Sequence, residues 1–349
     1  MKFKTPYIIS EIGVNYYDIA KKKNISNMEA AKLMIKKAKQ AGSDAVKFQS
    51  YKADTIASKN SPAYWDTKKE PTRSQFELFK KFDKFDKKEY EKLANYAKSL
   101  KIDFLCTPFD YKSVEYLDKI VPAFKISSSD ITNFPLIEKI VKKGKPIYQS
   151  VGASTIKEIR ETINFMKSIN NKVNVTLLHC VLNYPTLNEN SNLNRISILK
   201  EKFPTHAIGY SDHTLPDHSM NILTTATLLG VTVVEKHFTL DKTIPGNDHY
   251  HSMDPKDLKI FIKNCLVLEK IFSKNEKDYL PSEKKSRKEA RRSLVAIEDI
   301  EPNEIITNKM LISKRPAHGI SPKDIKKVIG KKAKKKILAD EIIKWIILK

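Results

Sequence analysis

Eight short apolar runs recur between residue 7 and about residue 272, and helix-period stretches separate most of them. The runs are 7–12, 45–48, 103–106, 123–126, 146–149, 173–179, 207–210 and 231–235. The helix-period stretches include 28–41, 88–100, 113–119, 135–143, 155–168, 216–230 and 255–272. Repeated strand–helix units build a parallel sheet with helices outside it. Eight of them predict an α/β chain built on a (β/α)8 TIM barrel rather than an open doubly wound sheet. No G-x-G-x-x-G or G-x-x-x-x-G-K-[ST] pattern occurs, so neither a Rossmann nor a P-loop site is expected.

Two departures from this rhythm matter. Residues 50–85 are long for a strand–helix loop and carry Pro62, Tyr64, Trp65, Asp66 and Pro71, which predicts a lid or an interface. Residues 273–291 hold Lys, Glu and Ser with few apolar positions and read as a linker. Beyond it, 292–296 and 310–316 are short strands, 299–303 and 317–322 are turn-rich, and 330–349 forms a compact close. The expected organisation is a barrel over 1–272, a linker over 273–291 and a small β-rich domain over 292–349.

A chain of 349 residues can bury one large core and a small satellite, and 40% hydrophobic with 30% charged residues excludes a disordered class. No apolar run is long enough to span a bilayer, and the apolar stretch at Tyr7-Ile8-Ile9 is too short for a signal-peptide core. A cytoplasmic location without a membrane partner is expected. Cys106, Cys180 and Cys265 show no paired spacing and read as buried free thiols. The net charge of +23 raises the question of nucleic acid, but it comes from 57 lysines and seven arginines, many in runs such as 332–336. Nucleic-acid readers favour arginine for its bidentate contacts, so solvated lysine faces are the expected origin and no nucleic acid partner is expected.

In a barrel, the residues after each strand share one mouth. Taken in order they are Glu11 and Asn15, Lys47 and Gln49, Thr107, Lys125 and Ser128, Ser150, Tyr184, Ser211 and His213, and His237. Two lysines and four hydroxyls suit a phosphate and a carboxylate, since each anion needs several donors and a cation. The imidazoles of His213 and His237 would form an incomplete metal site with open positions for water and substrate oxygen. Singly, each residue has a plainer reading: a core histidine, a snorkelling lysine, a helix-capping serine, an ion-paired glutamate. Their shared placement favours the joint one. His179, His206, His218 and His251 are expected to be structural. His249 adjoins Asp248 in a substrate-facing loop, Pro245-Gly246-Asn247-Asp248.

These residues resemble the sialic acid synthase family, the nonulosonate synthases. The resemblance rests on Ser10-Glu11-Ile12-Gly13-Val14-Asn15, Val46-Lys47-Phe48-Gln49, Thr107-Pro108-Phe109, Phe124-Lys125-Ile126, Tyr184-Pro185-Thr186, Gly209-Tyr210-Ser211-Asp212-His213-Thr214 and Glu235-Lys236-His237-Phe238-Thr239. Lys314-Arg315-Pro316, Gly319-Ile320-Ser321 and Gly330-Lys331-Lys332-Ala333 resemble that family's antifreeze-like (SAF, β-clip) domain. The resemblance implies condensation of phosphoenolpyruvate with an N-acylated mannosamine-type aldose, giving a nine-carbon 2-keto-3-deoxy acid and phosphate. It implies that His213 and His237 bind a divalent metal, Mn2+ or else Mg2+ or Co2+. Lys47, Gln49, Thr107, Lys125, Ser128, Ser150 and Ser211 would bind the donor side. Glu11 would be the acid–base residue. Tyr184, Asp130 and Asp248 would face the sugar, and Arg315 would reach its N-acyl group across a domain-swapped homodimer.

Four positions depart from the family pattern: Tyr16 for His, Asp130 for Glu, Val151 for Thr and Leu182 for a polar residue. They predict an unusual acceptor, such as a 6-deoxy diacetamido sugar of the legionaminic or pseudaminic type. Two rival readings are a barrel aldolase acting on a sugar phosphate and a nucleic-acid-binding protein on a retired enzyme scaffold.

Overall fold

All eight apolar runs become strands: β1 (Tyr7–Gly13), β2 (Ala45–Ser50), β3 (Asp103–Pro108), β4 (Phe124–Ile126), β5 (Ile147–Ser150), β6 (Val175–Cys180), β7 (Ala207–Asp212) and β8 (Val233–His237). The structure, a computed structural model, describes residues 4–65, 67–246, 248–272 and 278–349. Neighbouring strands pair in parallel in the order β3-β2-β1-β8-β7-β6-β5-β4. With β3 beside β4, the sheet curls into a nearly closed TIM-like barrel.

Successive side chains alternate between the barrel interior and the helices outside. Ile9, Ala45, Leu105, Ala123, Leu178 and Val233 fill one interior layer. Two residues further along the same strands, ~7 Å higher, stand Glu11, Lys47, Thr107, Lys125, Cys180 and Glu235, all buried. The interior therefore changes from apolar to charged within one repeat of the pleat. The apolar layer forms a dry floor under the polar one. On the outside, helix Asn27–Ala41 lays Ala31, Met34, Ile35 and Ala38 against the strand face that carries Ile8 and Val46. A reciprocal cap between Ser26 and Glu29 fixes its start.

Two expectations are adjusted. The helix expected over 216–230 runs only over Asn221–Leu228. The Asp217 carboxylate accepts the backbone N–H of Ser219 (2.7 Å) and Asn221 (3.1 Å), and this local turn displaces the first helical turn. The expected linker is partly helical: Pro281–Glu283 and Lys284–Ala290 are helical turns, consistent with a Lys-, Arg- and Ala-containing sequence. Residues 273–277 lie outside the described residues. By chain contacts the molecule divides into units Met1–Ser273 and Lys274–Lys349.

The long connection after β2 is an ordered cover. Its helices Ala53–Ile56 and Gln75–Phe82 pack Tyr51, Leu78 and Phe82 with Trp65 and with Val14 from the β1 loop. The Trp65 indole donates to the carbonyls of Glu70 and Thr72, each at 3.1 Å. Buried Glu70 accepts from Thr72 (2.6 Å) and Lys81 (2.9 Å). Asp66 lies outside the described residues.

The second unit is built on an antiparallel pair, β9 (Ser293–Ala296) and β10 (Leu311–Lys314). Its separate core includes Leu294, Ile300, Ile306, Ile320, Ile337 and Ile343. Gly319 passes so close to Ile342 and Ile343 that any Cβ would collide with them. Among the described residues no helix is long and apolar enough to cross a membrane. The three cysteines are free and buried, and the lysines at 21–23, 36–37 and 334–336 are exposed.

Candidate active site

Strand register decides which side chains meet at the barrel mouth. Glu11 stands opposite Lys47 on one side and His237 on the other. Gln49 stands opposite Thr107, and Ser211 opposite Glu235. The result is an inner pocket of about 60 Å3 lined by Glu11, Lys47, Thr107, Lys125, Ser128, Ser150, Ser211, His213, Glu235 and His237. Every residue expected to hold the donor lines it, including Gln49. Glu235 was not anticipated, although its place two residues before His237 on β8 puts it on the same inward face.

The pocket's charges interlock. The Lys47 ammonium lies 2.8 Å from Glu11, 3.8 Å from Glu235 and 3.0 Å from the Thr107 hydroxyl. The Lys125 ammonium lies 3.9 Å from Glu235, which also accepts from Ser211 at 2.9 Å. Gln49 donates to Glu11 at 2.8 Å. Burial raises the Glu11 carboxyl, and Lys47 only partly offsets it, so Glu11 holds a proton above the usual carboxylate range. Burial also lowers the Lys125 ammonium, against the pull of Glu235. The Ser150 hydroxyl is buried without a partner among the described residues and is free to donate to a guest.

Gly13 makes this packing possible. It sits at a bulge in β1 with φ +53°, and an added Cβ would lie 3.2 Å from both the Gln49 amide and the Glu11 carboxylate. Gly13→Ala is expected to destabilise the barrel by about 1–2 kcal/mol from the left-handed conformation alone, and to lower turnover through Glu11. Thermal unfolding and steady-state kinetics check this.

Above the inner pocket opens a wider cavity of about 530 Å3, and the two share Gln49, Phe109, Ser127, Leu182, Tyr184 and His237. Its wall carries Tyr51, Ile56, Tyr64, Trp65, Leu78, Phe79 and Phe82 from the long connection, with Asp18, Asp130, Asp248 and His249. Among the described residues no lysine or arginine lines it. Asp130 accepts from Asn133 (3.0 Å) with one oxygen, and its other oxygen is unpartnered among the described residues. Of the four departures, Leu182 and Asp130 line this space. Tyr16 and Val151 are core residues, Tyr16 stacking on Phe85 at 4.3 Å. Arg315 is exposed just past β10 in the second unit.

The histidines group at the junction. The rings of His213 and His237 are 5.5 Å apart, and Tyr184 lies 4.2 Å from His213. His213 donates its Nδ1–H to the Val181 carbonyl at 2.8 Å, which leaves Nε2 as its ligating nitrogen. His237 Nδ1 is buried and unpartnered among the described residues, 3.8 Å from Asp248. Such an orphan costs roughly 1–3 kcal/mol unless something binds it. Burial and the neighbouring histidines hold His237 well below the usual imidazole range, in the neutral form a metal requires. At His213 burial lowers the value, but Cys180 and the Val181 carbonyl outweigh it, so a cation and a proton compete for that ring. Burial raises the Asp248 carboxyl to about 6. This donor set fits a divalent cation.

The other histidines sort differently from expectation. His179 bonds the Ser191 carbonyl (2.8 Å) and His206 the Val175 carbonyl (3.1 Å), both structural. His249 lies between Thr239 (2.8 Å) and Asp18 (3.5 Å) on the wide cavity's wall. His251, expected to be structural, instead groups with His237 and Asp248 as a possible metal-binding set. Asn247 of the same loop lies outside the described residues.

Behind the mouth, on the other face of β7 and β8, Asp212 and Lys236 form a buried ion pair at 2.6 Å. Asp212 also accepts from the Tyr210 hydroxyl and the Thr214 amide at 2.9 Å each, and Lys236 donates to the Thr214 carbonyl at 2.7 Å. The pair ties together the two strand ends that carry His213 and His237.

A family model described as NeuB matches residues 34–277, and one described as SAF domain matches 291–346. The chain is 38% identical to the N,N'-diacetyllegionaminic acid synthase of Campylobacter jejuni, over 98% of this chain and 99% of that one. It is 32% identical to the human N-acetylneuraminate-9-phosphate synthase, over 97% and 91% respectively. Among solved structures, the N-acetylneuraminic acid (sialic acid) synthetase of Leptospira borgpetersenii superposes with a TM-score of 0.68 at 30% identity, over 81% of this chain and 90% of that one.

Proposed function

The chain belongs to the NeuB family, and from that premise we propose that it is a nonulosonic acid synthase. It condenses phosphoenolpyruvate with an unphosphorylated N-acylated mannosamine-type aldose. The observation that carries this is the two-tier cavity: a narrow pocket with two lysines and four hydroxyls, opening past the histidines into a wide aromatic space without cations.

In this reading the donor's phosphate and carboxylate sit on Lys47, Lys125 and the hydroxyls of Thr107, Ser128, Ser150 and Ser211. The sugar aldehyde enters from above, where the cavities meet. A divalent cation held by His213 and His237, Mn2+ or else Mg2+ or Co2+, would polarise that aldehyde. The donor's C3 attacks the carbonyl carbon, and cationic character develops at C2. Water adds at C2, and the tetrahedral intermediate expels phosphate by C–O cleavage, leaving the nine-carbon 2-keto-3-deoxy acid. Glu11, with its raised carboxyl steadied by Lys47 and Gln49, exchanges protons with that water. The carboxylates at C2 and Glu235 help carry the transient positive charge.

The wide cavity bears on the acceptor. A sugar phosphate would meet Asp18, Asp130, Asp248 and aromatic rings, and no cation among the described lining residues. Ile56, Leu78, Phe79, Phe82 and Leu182 instead suit a methyl group in place of a C6 hydroxyl. The favoured acceptor is a 2,4-diacetamido-2,4,6-trideoxyhexose, ahead of N-acetylmannosamine. Arg315 would reach the N-acyl group from the small domain of a partner in a swapped homodimer. The enzyme would work in the cytoplasm.

The test is kcat/KM with phosphoenolpyruvate, Mn2+ and three aldoses. The diacetamido sugar should exceed N-acetylmannosamine by about tenfold or more, with N-acetylmannosamine 6-phosphate turned over least. A preference for the phosphorylated sugar would overturn the acceptor assignment.

A further inference from the structure

We propose that His251 is a ligand of the cation at the barrel mouth, joining His213, His237 and Asp248 in a centre of three imidazoles and one carboxylate. The inference rests on the metal-dependent reading above, which needs only His213 and His237.

His251 reaches the mouth because the loop after β8 folds back. The Met253 amide donates to the His237 carbonyl at 2.8 Å, and the Thr239 amide to the Met253 carbonyl at 3.0 Å. Asn15 clamps the loop from β1, donating to the Phe238 carbonyl at 3.0 Å and the Ser252 hydroxyl at 3.2 Å. His251 is thereby held fully buried against His237, with ring centroids 5.0 Å apart.

Its ring is unlike a packing histidine. His179 and His249 each have a ring nitrogen bonded at 2.8 Å. Both nitrogens of His251 lack any partner among the described residues. Its Nε2 lies 4.0 Å from one Asp248 oxygen, and His237 Nδ1 lies 3.8 Å from the other. Those gaps are too long for hydrogen bonds, yet two bonds of ~2.0–2.2 Å to one ion span them. The ring separations agree. A centroid lies roughly 3 Å from an ion on its nitrogen, so rings sharing an ion are at most about 6.5 Å apart. His213, His237 and His251 lie 5.0, 5.5 and 6.2 Å from one another.

Two consequences follow for the chemistry. Asp248 serves the cation rather than a sugar hydroxyl. Three imidazoles also soften the site, favouring Mn2+, Co2+ or Fe2+ over Mg2+.

The experiment uses full-length protein, stripped of metal by chelation and titrated with Mn2+. Pulsed EPR of the bound Mn2+ counts coordinated imidazoles, and calorimetry gives Kd for wild type, His251→Ala and a surface control, His218→Ala. The expected count is three in wild type and two in His251→Ala. Kd should weaken by more than about 100-fold, since loss of even an outer-sphere partner costs 10–100-fold. An unchanged Kd, or a count of two in wild type, would overturn the role of His251 and leave the two-histidine reading intact. Failure of the wild type to bind Mn2+ would sink both. If His251→Ala does not fold, the wild-type count decides alone.

Discussion

Lys47→Met is expected to lower kcat/KM for phosphoenolpyruvate by about 10^3-fold or more, with a smaller effect on folding. Lys47 is the closest cation to both carboxylates of the inner pocket, 2.8 Å from Glu11 and 3.8 Å from Glu235. Its loss leaves Lys125 as the one cation among the described lining residues, facing two acids. A donor carrying a phosphate and a carboxylate would then enter a pocket with a net negative field. One oriented donor in such a dry site is worth ~10^2–10^3 in rate, and here a full charge is removed as well. The pH profile gives a second readout. Burial raises Glu11, Lys47 lowers it and Glu235 raises it, so removing Lys47 moves the limb assigned to Glu11 to higher pH. Lys47→Arg should not rescue, because a planar fork cannot replace a compact ammonium between Glu11 and Thr107. Activity within tenfold of wild type would show that the donor's anions bind elsewhere.

The second large effect is structural. Asp212→Ala should destabilise the barrel unit by ~3–5 kcal/mol, because it strands the Lys236 charge, whose side chain has no exposed surface. At ~2–4 °C per kcal/mol for a domain of this size, the thermal midpoint should fall by roughly 10 °C. Asp212→Leu combined with Lys236→Met should recover most of that loss, since an apolar pair leaves no charge behind. The pH dependence has a definite sign. Burial works to raise the Asp212 carboxyl, but Lys236 and Thr214 outweigh it and hold it below its ordinary value of 3.8. The folded state thus binds this proton less tightly than the unfolded chain. The stabilisation is complete above the ordinary value and is lost as pH falls through the lower folded one. Calorimetry from pH 2 to 7 should show a shallower acid limb in the double variant. A single variant as stable as wild type would mean the pair does not brace the strand ends.

The barrel was legible because its strands are short, continuous apolar runs at regular intervals. The inner pocket was legible for the same reason: side chains alternate along a strand, so Glu11, Lys47, Lys125, Ser211 and His237 inherit one direction from the pleat. Glu235 lay within reach of that rule. His251 did not, because it follows no periodic element. Its position depends on Met253 pairing back to His237 and on the Asn15 clamp, contacts between segments far apart in sequence. Tyr16 shows the converse. It follows Asn15 directly, yet it turns into the core against Phe85 at the start of helix Tyr16–Lys23. Sequence adjacency to a site residue does not place a side chain in the site once a helix begins. The irregular stretch before Asn221 escaped for a similar reason, as a side chain–backbone turn at Asp217 overrode a helical pattern.

The most direct measurement follows the atoms. Phosphoenolpyruvate labelled with 18O at the bridging oxygen is incubated with the protein, Mn2+ and the diacetamido trideoxy aldose, and both products are weighed by mass spectrometry. The account predicts a nine-carbon keto acid with the mass of the aldose plus a pyruvyl unit, and phosphate that keeps the label. Unlabelled phosphate, or phosphate released with no keto acid formed, would contradict it.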